Sequence, residues 1–178
     1  KDGWLGGDGD VSAPINDTTT IFIFSDTYVG KKNQKSRQEP GMRMVANTVA
    51  IQTCLTDGET KVHYYWNKTH YDNPEPFFKS FTDRYKYWVI DAFTATSNLY
   101  VILGKVGPKF GAAPHEIFNF SGLGFTLAKI SNPDEVPSEW KIEMFPLPDF
   151  KNSTMEIRCH AMQDKYIYFF VSRNDTSQ

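Results

Sequence analysis

A glycine-rich run near the N-terminus, Gly6-Gly7-Asp8-Gly9-Asp10, places two carboxylates one residue apart. Clustered oxygens of this kind suit hard cations such as calcium, while aspartates beside glycines also cap tight turns through their side chains. The run lacks the full spacing and the terminal glutamate of an EF-hand loop. We therefore predict no metal site here, and the choice between chemistry and turn capping stays open.

The other residues that could bind metals or act as nucleophiles do not form a known pattern. Close zinc-ligand spacing is absent among the histidines and cysteines, which are His63, His70, His115, His160, Cys54 and Cys159. The chain also has no Gly-x-Ser-x-Gly elbow and no phosphate-binding Gly-Lys-Ser/Thr loop. The sequence predicts no metal core, no cofactor, no serine-hydrolase triad and no nucleotide site.

Five Asn-x-Ser/Thr sequons indicate a secreted glycoprotein, and they begin at Asn16, Asn67, Asn119, Asn152 and Asn174. An oxidising compartment would allow Cys54 and Cys159 to form a disulfide. Both cysteines lie in apolar strand patterns, however, so free buried thiols are an equal alternative. The sequence leaves their pairing open.

Charge and hydropathy exclude two classes of partner. The formal net charge is -2, and the basic residues are scattered apart from Lys31, Lys32, Lys35 and Arg37. Neither nucleic acid nor an anionic membrane is therefore expected to bind. No apolar run approaches the roughly 18 to 20 residues of a spanning helix. The first residues do not read as a signal peptide, so we expect that any leader has been removed.

Aromatic residues make up 15% of the chain, with 14 Phe, 9 Tyr and 4 Trp. This content favours sheet over helix. Turn residues separate the apolar segments, and none of the intervening stretches has a convincing amphipathic helical pattern. The predicted strands span residues 20–29, 44–55, 62–66, 87–95, 99–105, 125–130, 140–145, 155–162 and 166–173.

Three hairpins repeat along the chain: SAPINDTTTIFIFSD at 12–26, DAFTATSNLYVILGK at 91–105 and CHAMQDKYIYFFVSR at 159–173. Each joins a strand of small or polar residues to one rich in aromatic and β-branched residues. We predict an all-β, partial β-propeller domain over 1–178, with approximate modules 1–80, 81–150 and 151–178. These would be two blades and the start of a third, completed by further sequence or another copy. A β-sandwich is the alternative.

The segment GWLGGDGDVSAP at 3–14 and the segment IFIFSDT at 21–27 together carry a family resemblance. They resemble the opening of five-bladed β-propeller proteins, which has a Gly-Asp-Gly loop, a Ser-x-Pro strand and an aromatic strand ending in Gly-Asp-Thr. The branch was long described as a domain of unknown function and now includes endo-D-arabinanases. It is more distantly similar to arabinanases, xylosidases, invertases and levansucrases. Ser25 stands where the pattern usually has Gly.

This resemblance implies carboxylates on the first strands of successive blades, with a sugar chain bound across them. It assigns catalytic roles to Asp8, Asp26 and Asp91. Cleavage of a glycosidic bond needs a protonated group and an ionised carboxylate on either side of that bond. Asp8 would be the nucleophile or base and Asp91 its charge-stabilising partner, while Asp26 would support them or bind a sugar hydroxyl. The third module offers Glu156 and His160, which no motif distinguishes.

Substrate binding is expected from Asp10, Trp4 and Ser12. The aromatic residues nearest the matching strands could stack on sugar rings or simply fill the core, and they are Trp4, Tyr28, Trp66 and Trp88. The resemblance thus predicts a secreted glycoside hydrolase that acts on polysaccharide such as arabinan. The alternatives are a noncatalytic carbohydrate-binding or cell-surface interaction module on the same fold, and a purely structural extracellular domain.

Overall fold

The computed structural model describes residues 2–31, 41–109, 111, 119–148, 154–163 and 166–174. These residues form antiparallel β-sheets, and the one helical element among them is a 3-10 turn, Pro137–Glu139. No helix within these ranges has the length and apolar character needed to cross a membrane. The prediction of an all-β chain is confirmed.

Fifteen strands lie in the described residues. They are β1 (Asp2–Gly7), β2 (Val11–Asn16), β3 (Thr19–Phe24), β4 (Thr27–Lys31), β5 (Arg43–Val45), β6 (Thr48–Cys54), β7 (Thr60–Tyr65), β8 (Asn67–Lys68), β9 (Pro74–Glu75), β10 (Lys86–Ala95), β11 (Asn98–Pro108), β12 (Phe120–Ile130), β13 (Ile142–Pro146), β14 (Thr154–Gln163) and β15 (Tyr166–Asn174).

Two four-stranded sheets and one hairpin follow each other along the chain. The first sheet has the order β2-β3-β6-β7 and the second the order β10-β11-β12-β13, while β14 pairs with β15. The first strand of the second sheet, β10, contacts both β2 and β14. The three predicted hairpins are therefore confirmed as β2–β3, β10–β11 and β14–β15, and their first strands are neighbours.

Two of the predicted strands, 20–29 and 44–55, are wrong as single elements because each divides between two sheets. The chain leaves the first sheet after β3, and β4 and β5 pair with β1 in a separate sheet of order β1-β4-β5. The first break lies at Ser25, whose backbone N–H donates to the carbonyl of Asp8 at 2.7 Å. The second lies at Asn47, whose side chain is bonded to a distant loop.

The main core lies between the first and second sheets, where side chains from both are fully buried. Strands β3 and β11 contribute alternate residues to it: Ile21, Ile23, Leu99, Val101 and Leu103. On the opposite face of β11, buried Ile102 packs with Phe93 of β10 and Ile157 of β14. Because both of its faces are covered, β11 is apolar almost throughout, as expected of a strand between two layers.

Asn47 is a fully buried polar residue at the break between β5 and β6. Its Nδ2 donates to the carbonyls of Phe78 at 3.1 Å and Tyr87 at 2.9 Å. Its Oδ1 accepts the backbone N–H of Phe78 at 2.6 Å. The side-chain amide of Asn47 thus links the first sheet to the connection that leads into β10. Both polar atoms of this buried amide have hydrogen-bond partners.

Replacing this amide should destabilise the fold strongly. We expect Asn47→Ala to lower the free energy of unfolding by about 2 to 3 kcal/mol, since it leaves backbone groups of Phe78 and Tyr87 buried without partners. The matched control is Asn73→Ala at an exposed position, expected to change stability by less than about 0.5 kcal/mol. Urea unfolding of both variants tests this, and equal losses would contradict the role of Asn47.

The phenol of Tyr87 is a second polar group in the core. Its side chain is 2% exposed. Burial raises the pKa of Tyr87 to about 12, and its hydrogen bond with Tyr85 acts in the same direction. The neutral phenol is thus favoured in the folded protein, whereas the unfolded chain ionises near the ordinary value of 10.0.

This difference predicts a loss of stability at high pH. A raised folded-state pKa contributes stability that is complete below pH 10 and is lost as the pH rises toward 12, by about 1.4 kcal/mol for each pH unit. Tyr87→Phe should therefore lose less stability than the wild type over that interval, while Tyr71→Phe, exposed at 83%, should follow the wild type. Denaturant unfolding across the alkaline range measures both, and identical slopes for all three proteins would refute the assignment.

Candidate functional site

Asp91 is placed by a bulge in β10. Val89 pairs with Leu103 and Asp91 with Ile102, so the register shifts by one residue at Ile90. The Asp91 side chain is 16% exposed, and its Oδ2 lies 2.6 Å from Nδ1 of His160. Its Oδ1 accepts the backbone N–H of Ala92 at 2.8 Å. Both carboxylate oxygens therefore have partners inside the protein.

His160 belongs to β14, the first strand of the third hairpin, which has its own register shift between Ile157 and Cys159. The imidazole is 20% exposed, and its ring centre lies 4.6 Å from that of Phe93. A carboxylate and an imidazole at hydrogen-bonding distance can hold one proton between them. This Asp91–His160 pair joins the first strands of two successive sheets. The sequence offered His160 as a candidate without a motif, and its partner becomes evident only in three dimensions.

Asp26 lies in the bend between β3 and β4 and reaches across to β10. Its Oδ1 accepts hydrogen bonds from Nζ of Lys86 at 3.1 Å and from Nε1 of Trp88 at 3.0 Å. The side chains of Asp26 and Lys86 are 21% and 42% exposed. Lys86 and Trp88 are two residues apart in one strand and so share a face. The predicted catalytic residue Asp26 is thus tied to the strand that carries Asp91.

Ser25 makes a second connection from the same bend to β10. Its buried Oγ accepts the backbone N–H of Val89 at 2.9 Å and lies 3.4 Å from the carbonyl oxygen of that residue. The departure from Gly at this position therefore provides a hydroxyl that bonds the backbone of a neighbouring sheet.

Asp8 is held against this bend through its backbone. Its N–H donates to the carbonyl of Asp26 at 3.2 Å, and its carbonyl accepts the N–H of Ser25 at 2.7 Å. The side chains of Asp8 and Asp10 are exposed. Within the described parts of the chain, neither carboxylate makes a hydrogen bond or an ion pair. The structure thus links Asp8, Asp26 and Asp91 through adjacent elements and leaves the Asp8 carboxylate available.

Trp4 packs against Tyr64 of the first sheet, and Ser12 lies on β2. The indole of Trp4 stacks on Tyr64 with ring centres 4.5 Å apart, and its Nε1 donates to Oγ1 of Thr48 at 3.2 Å. Tyr64 belongs to β7, at the opposite edge of the first sheet from β2. Packing within the protein therefore occupies one face and the polar atom of Trp4. Ser12 is exposed on β2.

The remaining predicted aromatic candidates differ in their surroundings. Trp88 lies beside Asp26 as described, and Tyr28 is half-buried in β4. Nε1 of Trp66 is buried and has no hydrogen-bond partner. No group of three or more metal-ligating side chains occurs among the residues that the structure describes.

The sequons differ in how far their asparagines are engaged. Asn16 and Asn119 are exposed, and Oδ1 of Asn16 accepts the N–H of Thr18 at 3.0 Å. Nδ2 of Asn67, the atom that a glycan would modify, donates to the carbonyls of Pro76 and Phe77, each at 2.8 Å. Asn152 lies outside the described residues, and Asn174 ends β15.

Cys54 corrects the expectation of a buried or disulfide-bonded thiol at this position. It is free and exposed at the end of β6. The side chain of Cys159 lies outside the described part of the structure. The apolar pattern around residue 54 correctly indicated a strand but not that this end of the strand is open to solvent.

Gly9 is required where the Asp8 loop meets the bend. Its φ is +59°, and a Cβ there would lie 2.8 Å from Oγ and 2.9 Å from Cβ of Ser25. Gly58 has a similar left-handed backbone, with φ +84°, but nothing lies within 4 Å of its Cβ position. Substitution of these two glycines therefore distinguishes the cost of backbone strain from the cost of a steric clash.

We expect Gly58→Ala to lower the free energy of unfolding by about 1 kcal/mol through backbone strain alone. Gly9→Ala should lower it by at least about 1 kcal/mol more, because the added methyl displaces Ser25 from β10. Urea unfolding of the two variants measures the difference. Equal losses of stability in the two variants would mean that the contact between Gly9 and Ser25 does not stabilise the fold.

A comparison with solved structures bears on the fold, and the comparisons leave activity open. A solved structure from Bacteroides ovatus ATCC 8483, provisionally named a hydrolase, matches 96% of this chain with a TM-score of 0.65 at 18% identity. The chain spans 46% of the length of that protein. None of the curated proteins matches it. A family model described as a domain of unknown function (DUF5005) matches residues 1–178, and the chain belongs to that family.

Proposed function

We propose that this chain is part of a secreted glycoside-hydrolase-like protein that cleaves polysaccharide of the arabinan type or a related glycan. The observation that carries the proposal is the Asp91–His160 pair between β10 and β14. Asp91 lies on the same strand as Lys86 and Trp88, which hold the Asp26 carboxylate. The backbone carbonyl of Asp26 in turn accepts the N–H of Asp8. The acidic residues that the resemblance selects thus belong to one connected set of elements.

The architecture that belongs to this proposal is a propeller of the five-bladed type. Two four-stranded antiparallel meanders and a third hairpin follow one another, with neighbouring first strands. Four-stranded sheets that follow one another around a central channel, as in a propeller, would have this relation. Further polypeptide or another copy would complete the ring.

The division of labour follows from the surroundings of each carboxylate. Asp8 is exposed and unengaged among the described residues, which suits a nucleophile or a base that activates water. Both oxygens of Asp91 are already engaged, which suits a charge-stabilising group. Because Asp91 engages Nδ1 of His160, Nε2 is the ring nitrogen from which a proton could pass to the departing sugar oxygen.

Two further observations support parts of the proposal. The provisional name of the Bacteroides ovatus protein is consistent with hydrolysis, although the chain covers less than half of that protein. The exposed asparagines of the sequons at Asn16 and Asn119 are compatible with glycosylation in the secretory pathway.

A noncatalytic carbohydrate-binding module is the second candidate. It is favoured by one specific observation, namely that Asp26 and Asp91 are both bonded to partners within the protein. Such carboxylates could serve the fold and bind sugar hydroxyls without cleaving a bond.

Activity assays separate the two candidates. In the proposed enzyme, Asp8→Asn and Asp91→Asn should each reduce the release of reducing ends from arabinan by about 100-fold or more, and His160→Gln should do so by about 10- to 100-fold. Asp134→Asn, in an exposed turn of the second module, is the control and should retain full activity.

The comparison also needs a binding measurement on the same variants. Wild-type protein that binds the polysaccharide but releases no reducing ends would favour the noncatalytic module. Full activity in both Asp8→Asn and Asp91→Asn would overturn the assigned site even if the protein is a hydrolase.

A further inference from the structure

A partly exposed aromatic pair lies beside Asp26 and has no role in the chemistry proposed above. The rings of Trp88 and Phe120 meet edge to face, with centres 4.8 Å apart. Phe120 is 38% exposed, and Trp88 is half-buried at the start of β10. Nζ of Lys86 lies 5.3 Å from the centre of the Trp88 ring. An ammonium, a carboxylate and two aromatic rings thus share one small surface.

The indole is held in a fixed orientation. Its Nε1 donates to Oδ1 of Asp26 at 3.0 Å, and the same oxygen accepts from Lys86 at 3.1 Å. The one polar atom of Trp88 is therefore satisfied by the protein. Phe120 and Nζ of Lys86 already contact its ring, and the half-exposed remainder of the ring is the part that a ligand can pack against. A rigid aromatic side chain loses little conformational entropy when a ligand packs against it.

The polar groups beside the ring retain hydrogen-bonding capacity. Lys86 has three N–H donors, and its side chain is 42% exposed. A carboxylate has about four acceptor positions. Within the described part of the chain, both hydrogen bonds to the Asp26 carboxylate go to Oδ1, and none goes to Oδ2. Acceptor and donor therefore stand side by side, with opposite charges that cancel.

A sugar ring matches this surface chemically. Its C–H face packs on an aromatic ring, and a hydroxyl at its rim can donate to a carboxylate while accepting from an ammonium. Because Lys86 neutralises Asp26 and the exposed Asp8 is held against the same bend, these groups carry no excess positive charge with which to select an anionic sugar. An uncharged sugar unit is the ligand that uses all of these groups.

The position relative to Asp91 fits one extended ligand. Trp88 precedes Asp91 by three residues in β10, and a strand advances about 3.3 Å per residue, so the two backbone positions are about 10 Å apart or less. A short oligosaccharide spans this distance. We propose that Trp88, Phe120, Lys86 and Asp26 form a binding subsite for an uncharged sugar unit, next to the Asp91–His160 pair. The inference rests on the proposed glycan substrate.

The test compares binding and turnover in several variants, using oligosaccharides of graded length prepared from arabinan. Trp88→Ala should raise the KM or Kd for the longer oligosaccharides by about 10- to 100-fold with little change in kcat. Lys86→Met, which keeps the aliphatic stem, should raise it by about 3- to 10-fold. Both effects should be several-fold smaller for the shortest substrate, which cannot reach both positions.

Trp140→Phe is the matched control because Trp140 is a core residue far along the chain, between β12 and β13, whose Nε1 also donates to the protein. This variant measures how far the loss of an indole changes the KM or Kd through protein stability alone. Lys86→Met keeps the test decisive if Trp88→Ala fails to fold.

Each outcome bears on a different claim. A length-dependent loss of affinity in the Trp88 and Lys86 variants upholds the subsite, even if the wild-type protein cleaves no bond. Unchanged affinity in folded variants of an active enzyme overturns the subsite and leaves the proposed function standing. Absence of any oligosaccharide binding by the wild type overturns both.

Discussion

The hydrogen bond between Ser25 Oγ and the N–H of Val89 is the contact on which the arrangement of the site depends. As the first strand of its sheet, β10 has one edge without a sheet partner, and unpaired backbone groups on such an edge must find other partners when they are buried. A hydroxyl in a loop of the preceding sheet supplies one. That contact fixes Asp26 over the start of β10, and the backbone bonds of Asp8 then fix the glycine-rich loop upon Asp26.

The bulge at Ile90 decides which way Asp91 faces. Tyr87 and Val89 point into the core between the first two sheets, and an unbroken strand with a period of two would send Asp91 to that same side. The extra residue reverses the alternation, so that Ala92 enters the core and Asp91 faces His160. A one-residue irregularity thus converts what would be a buried, unpaired carboxylate into half of a bonded pair.

The sequence predicted the hairpins because each combines a polar turn with alternating or continuous apolar residues, which is a local signal. It did not predict the breaks at Ser25 and Asn47, since the bonds that cause them come from Asp8 and Phe78, which are distant in sequence or in a different element. For the same reason the sequence did not predict the stacking of Trp4 on Tyr64, which depends on β1 lying near the far edge of the first sheet.

For the candidate site, too, the sequence indicated the residues but not the contacts between them. The resemblance selected Asp8, Asp26 and Asp91, but residue types alone could not distinguish their roles. In the structure their partners differ: Lys86 and Trp88 hold Asp26, and His160 holds Asp91. Carboxylates on adjacent elements repel one another, and a cationic group beside each relieves that repulsion. Lys86 does this for Asp26, and His160 can do so for Asp91 when it is protonated. Asp8 is instead exposed to water, which screens its charge, and it is the one of these three carboxylates that makes no bond within the described part of the protein.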